Sequence, residues 1–139
     1  MISSPKVLVV DDDWAVLTAT AMTLRYSGFT VLTASTPEQA LTVWRGNSEK
    51  VDAVIADLDL RSSITGEQLC EVLRNEEPRL HTILLTAHSV GPRDFGRIDG
   101  LNFFQKPYDI QALSQAVRDQ VFLGEMEPAD EILELEIAE

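Results

Sequence analysis

Five short apolar runs, separated by stretches with helical spacing, constrain this 139-residue chain more than any other feature. Lys6 to Val10, Val51 to Ala56 and His81 to Leu85 are dominated by aliphatic residues, without the regular polar alternation of a strand that has one face in water. Phe29 to Ala34 and Phe103 to Gln105 complete the set. Strands covered on both faces need crossover connections, and the intervening segments supply them. Leu17, Ala21 and Leu24 mark a helix from Trp14 to Ser27, with Gly28 placed to end it. Thr36-Pro37-Glu38-Gln39 joins a capping hydroxyl, a proline at the first helical position and a Gln at the third, so a helix runs from there to Trp44 or Arg45. Glu67 to Asn75 is a third helix, stopped before Pro78, and Asp109 caps a last one from Ile110 to Phe122. Gly91, Pro92, Gly96 and Gly100 fall where the alternation demands another helix, which is therefore expected to be short or irregular. The architecture predicted is a doubly wound α/β fold, a five-stranded parallel sheet with helices on both faces.

Such sheets bind ligands beyond the carboxyl ends of their strands. The first strand delivers Asp11 and Asp12 to that edge, the third Asp57, the fourth Thr86 and the fifth Lys106. Any one of them alone is just a strand end meeting water, but four strands sending such groups to one edge form a set. Three converging carboxylates repel one another unless a hard dication sits among them, and Mg²⁺ prefers oxygen ligands of this kind. A carboxylate can then attack phosphorus while the metal and an ammonium group neutralise the charge on the phosphoryl oxygens. Asp57 is the candidate nucleophile, Asp11 and Asp12 the metal ligands, Lys106 the cation and Thr86 a hydroxyl donor.

In their order and spacing, Val-Leu-Val-Val-Asp11-Asp12, Val-Ile-Ala-Asp57, Leu-Leu-Thr86-Ala87 and Gln105-Lys106-Pro107 resemble the landmarks of response-regulator receiver domains, over roughly Lys6 to Leu123. The resemblance implies strand order 2-1-3-4-5 and phosphoryl transfer to Asp57 from a phosphohistidine of a sensor histidine kinase or histidine phosphotransfer protein. It implies Mg²⁺, with Mn²⁺ as an alternative, held by Asp12, by Asp11 through water, by Asp57 and by the backbone carbonyl of Asp59. Thr86 and Lys106 would contact the phosphoryl group, Phe103 would turn inward with Thr86, and Asp59 and His88 would tune dephosphorylation. The Lys106-Pro107 bond would be cis, and phosphorylation could drive dimer formation. Three departures stand out: Leu60-Arg61 replaces the proline usual after the acceptor, the loop from Asp57 to Gly66 is one residue longer than is common, and the glycine-rich stretch from Thr86 to Lys106 is short by a residue or two.

The acid excess sharpens these expectations. Of 23 acidic residues seven lie in 125–139, where there is no Lys or Arg, so the net charge of −12 is largely that of a tail. Residues 1–123 are read as the receiver domain and 124–139 as an acidic tail or linker. The balance argues against nucleic acid and anionic membranes as direct partners. With one cysteine, Cys70, and no apolar run near the ~18 residues of a membrane span, the chain is expected in the cytoplasm. Cys70 belongs to an apolar helix pattern and reads as a packed, inert thiol. Asp13 suits a helix start, Trp14 and Trp44 suit packing, and His81 opens a strand. Two other functions compete. One is a binding module independent of phosphorylation, which would have no reason to keep an unneutralised acidic cluster. The other is a haloacid-dehalogenase-type phosphatase, suggested by Asp57-Leu58-Asp59, although those enzymes place that motif early and their acidic pair late. The chain is thus expected to be a signalling domain rather than a turnover enzyme.

Overall fold

The computed structural model describes residues 4–47, 51–86, 95–98, 101–105 and 109–126. Five strands of a six-stranded sheet run parallel: β1 (Lys6–Val10), β2 (Thr30–Ala34), β3 (Ala53–Asp57), β4 (His81–Thr86) and, numbered sixth in the chain, β6 (Leu101–Gln105). Their order, β2-β1-β3-β4-β6, is the expected 2-1-3-4-5. The helices are α1 (Trp14–Tyr26), α2 (Pro37–Gly46), α3 (Gly66–Glu76) and α4 (Ile110–Met126).

Two cores explain why the strands lack polar alternation. Val7, Val9, Ala53, Ile55, Ile83, Leu85 and Phe104 pack with Leu17, Ala21 and Leu24 of α1 and with Leu113, Val117 and Val121 of α4. Their neighbours Leu8, Val10, Val54, Ala56, Leu84 and Phe103 pack with Ala40 of α2 and with Leu69, Cys70 and Leu73 of α3. Each face of the pleat therefore meets a helical layer, and both parities must be apolar.

The caps follow the local chemistry. Oδ1 of Asp13 accepts from the N–H groups of Ala15 (2.9 Å) and Val16 (3.2 Å), Thr36 Oγ1 from Gln39 N–H (3.0 Å), and Asp109 Oδ1 from Gln111 N–H (2.9 Å). Thr65 and Gln68 form a reciprocal capping box on α3, whose Thr-x-x-Gln signal is present in the sequence. Gly28, at φ 101°, reverses the chain after α1 in a conformation that costs other residues a steric penalty. Trp44 and Arg45 of α2 both donate to Glu76 at the end of α3, and the Arg45 bond foremost, then that of Trp44, hold the Glu76 carboxyl below its ordinary range.

Three expectations change. Residues 95–98 form a strand, β5 (Phe95–Ile98), antiparallel to β6 at the sheet edge, where a short helix was expected; residues 87–94 lie outside the described residues. Ile98 pairs with Leu101. The last helix runs on to Met126 through Gly124, whose cost inside a helix is only about 1 kcal/mol. Trp14 is 75% exposed and so is not a packing residue, because Leu17, Thr20, Ala21 and Leu24 occupy the inward stripe of α1.

Candidate functional site

The register lines up the strand ends. Val10 pairs with Ala56, which puts Asp11 beside Asp57, and Asp57 pairs with Leu85, the residue before Thr86. Asp11, Asp57 and Thr86 are each at most 5% exposed, whereas Asp12 is exposed at the rim. One carboxylate oxygen from each of Asp11, Asp12 and Asp57 lies within 4.8 Å of the other two. At that separation each pair of charges repels by on the order of 1 to 4 kcal/mol, depending on how much water screens it. The donors are all oxygen, the preference of a hard divalent cation, so the residues fit one.

Backbone geometry holds these carboxylates in place. Oδ1 of Asp11 accepts from the N–H of Asp13 at 2.9 Å, and Oδ1 of Asp57 accepts from the N–H of Asp59 at 3.0 Å. Both are bonds to the residue two positions on, a turn that aspartate forms readily. The chain after Asp57 is anchored by Leu58 N–H to the Leu85 carbonyl (2.8 Å) and by Gly66 N–H to the Leu58 carbonyl (3.3 Å). Gly66 backs directly onto the acceptor. A β-carbon there would overlap the Asp57 carbonyl oxygen and lie 2.9 Å from the carbonyl carbon.

The loop from Asp57 to Gly66 is pinned on both sides of an exposed tip. Leu60 is buried and Ile64 packs against the α2–α3 core, while Ser62 Oγ donates to Glu38 of α2 at 3.2 Å. Arg61 lies on Asp12: its N–H donates to Oδ2 at 3.2 Å, and its Nε stands 3.7 Å from the same oxygen. Sequence reasoning missed this contact, although Leu60-Arg61 stands where the resemblance leads one to expect a proline.

Of the remaining residues singled out in the sequence, Phe103 is buried and pairs with Leu84, which lies two residues before Thr86 on β4. Thr86 and Phe103 therefore share one face of adjacent strands. Asp59 is exposed and contributes its N–H to Asp57. Lys106, Pro107 and His88 lie outside the described residues. Cys70 offers no competing chemistry, since burial pushes its thiol up to about 12 and leaves almost no thiolate at neutral pH. Among the described residues no helix is long and apolar enough to cross a membrane.

Comparison with known proteins agrees with this fold. The family model for the response regulator receiver domain matches residues 7–118. The transcriptional regulatory protein GlrR of Escherichia coli (strain K12) is 36% identical over 114 residues, 81% of this chain and 25% of that protein. The alkaline phosphatase synthesis transcriptional regulatory protein PhoP of Bacillus subtilis (strain 168) is 30% identical over 118 residues, 81% of this chain and 47% of that protein. The chain thus spans a quarter to a half of the length of these relatives. A response regulator receiver domain protein from Clostridium thermocellum superposes with a TM-score of 0.75 at 26% identity, covering 88% of this chain and 98% of that one.

Proposed function

This chain belongs to the response regulator receiver family of two-component signalling, and from that premise we propose that Asp57 is its phosphoryl acceptor. A carboxylate oxygen of Asp57 bonds to the phosphorus of a phosphohistidine, the phosphorus–nitrogen bond breaks, and the released imidazole nitrogen recovers a proton. The observation that carries this reading is the gathering of Asp11, Asp12 and Asp57 within 4.8 Å at the sheet edge.

A bound Mg²⁺, or Mn²⁺ in its stead, would neutralise charge on the phosphoryl oxygens. Asp12 and Asp57 would hold it directly, Asp11 through water, and the Asp59 carbonyl would complete the protein's share. Thr86, buried on the neighbouring strand, donates its hydroxyl to a phosphoryl oxygen and Lys106 pairs with another. Phe103, on the same sheet face as Thr86, carries the change to the partner surface, while Asp59 and His88 set the rate at which water removes the phosphoryl group. The Lys106-Pro107 bond is assigned as cis on the family pattern alone. The chain acts as a signalling domain, not as an enzyme with external turnover. Its phosphoryl source is a sensor histidine kinase or histidine phosphotransfer protein in the cytoplasm, and phosphorylation favours a dimer. Residues 1–123 form the receiver domain, with 124–139 an acidic tail or linker.

Incubation with acetyl phosphate and Mg²⁺ is expected to add the mass of one phosphoryl group, and none when the metal is chelated. An unchanged mass would return the chain to the class of phosphorylation-independent binding modules. Mg²⁺ alone is also expected to raise the melting temperature, since free metal at ten times its Kd adds about 1.4 kcal/mol. An unaltered melting curve would remove the metal from the site.

A further inference from the structure

Among the described residues, Arg61 lies on the acidic edge, and the phosphoacceptor reading gives it no role. It stands in the loop after Asp57, and its position is specified twice by one oxygen. The Arg61 N–H donates to Asp12 Oδ2 at 3.2 Å, and the guanidinium Nε lies 3.7 Å from that atom. The loop brings it there because Leu60, the residue before, is buried in the α2–α3 core and Ser62, the residue after, is tied to Glu38. A proline at position 61 could supply neither the N–H nor the charge.

We propose that Arg61 is a built-in competitor for the metal: its guanidinium neutralises Asp12 and must yield that carboxylate before a divalent cation can take it. The inference rests on the reading of Asp11, Asp12 and Asp57 as a metal site. Two effects act in the same direction. Hydrogen bonding and the ion pair engage an oxygen of the most exposed ligand, and a fixed positive charge repels an incoming dication. The side chain of Arg61 is 93% exposed, so water screens its charge and the effect is that of a surface pair. Arg61 thereby sets how much Mg²⁺ is needed to prime Asp57, without touching the acceptor.

The test is calorimetric titration of MgCl₂ into the unphosphorylated chain and into Arg61→Ala and Arg61→Lys. Alanine keeps the backbone N–H and discards the charge, and is expected to tighten Mg²⁺ binding about two- to fivefold. Lysine restores the charge and should return the affinity most of the way to that of the parent. In 1 M salt, where the Debye length is about 3 Å, the difference between Arg61 and Ala should nearly vanish. Equal affinities at low salt, or weaker binding by Arg61→Ala, would overturn this inference while leaving the metal site standing. No Mg²⁺ binding by any of the three proteins would overturn both.

Discussion

Asp57→Asn is expected to lower covalent phosphoryl uptake from acetyl phosphate at least about a hundredfold, because the amide offers no anionic oxygen to attack phosphorus. The fold should be untouched. Asn has the shape of Asp, and its amide oxygen can still accept the Asp59 N–H that Asp57 Oδ1 accepts at 3.0 Å. Stability of the metal-free protein should rise, by on the order of 1 kcal/mol, since one of three mutually repelling carboxylates is gone. The rise in melting temperature that Mg²⁺ brings should shrink for the same reason. Intact-mass analysis and parallel melting curves separate these effects. Labelling of Asp57→Asn at the parental rate would place the acceptor elsewhere, whereas a lower melting temperature would mean that the three carboxylates do not strain the edge.

Gly66→Ala is expected to be the more damaging change for the fold. On helix propensity alone, alanine should be the better residue in the first turn of α3. Contact decides otherwise. The new β-carbon would overlap the Asp57 carbonyl oxygen and come within 2.9 Å of the carbonyl carbon and 3.1 Å of Leu58 Cα, all of them backbone atoms that no rotamer change can move aside. Relief requires α3 to shift from the end of β3, and overpacking of this kind costs about 1–3 kcal/mol. For a domain of this size that is a fall in melting temperature of about 4–12 °C. Since the shift moves the backbone on either side of the acceptor, phosphoryl uptake should also slow while Asp57 itself remains. A melting temperature within about 1 °C of the parent would show that the helix does not approach the strand so closely.

Both changes act at one sheet edge, and they divide what was legible in the sequence from what was not. The nucleophile candidate and its acidic neighbours could be read beforehand, because buried parallel strands announce themselves as apolar runs with polar residues at their ends, whereas the strand order came only with the resemblance to receiver domains. Caps at Asp13, Thr36 and Asp109 were equally legible, since each is a short-range bond between a side chain and an N–H two or three residues on. The antiparallel strand Phe95–Ile98 was not, because four Gly and Pro residues between 88 and 100 weaken a helix without indicating that residues 95–98 pair as a strand. Its pairing with β6 is a matter of tertiary neighbourhood. Trp14 failed as a packing residue for a similar reason: aromatic character says that a side chain favours burial, but the stripe through Leu17, Ala21 and Leu24 decides which side of α1 is buried.

Sequence alone therefore determined the parallel strands, the three carboxylates sent to their edge and the chemistry those carboxylates can support, all of which depend on periodicity and residue type within short windows. Tertiary structure alone decided that Asp11, Asp12 and Asp57 lie within 4.8 Å, that Gly66 has no room for a β-carbon and that Arg61 rests on Asp12. Apart from the neighbours Asp11 and Asp12, those contacts join residues eight to 49 positions apart, and their distances follow from the β1–β3 register and from how α3 and the loop before it pack against the strand ends, which no local pattern specifies.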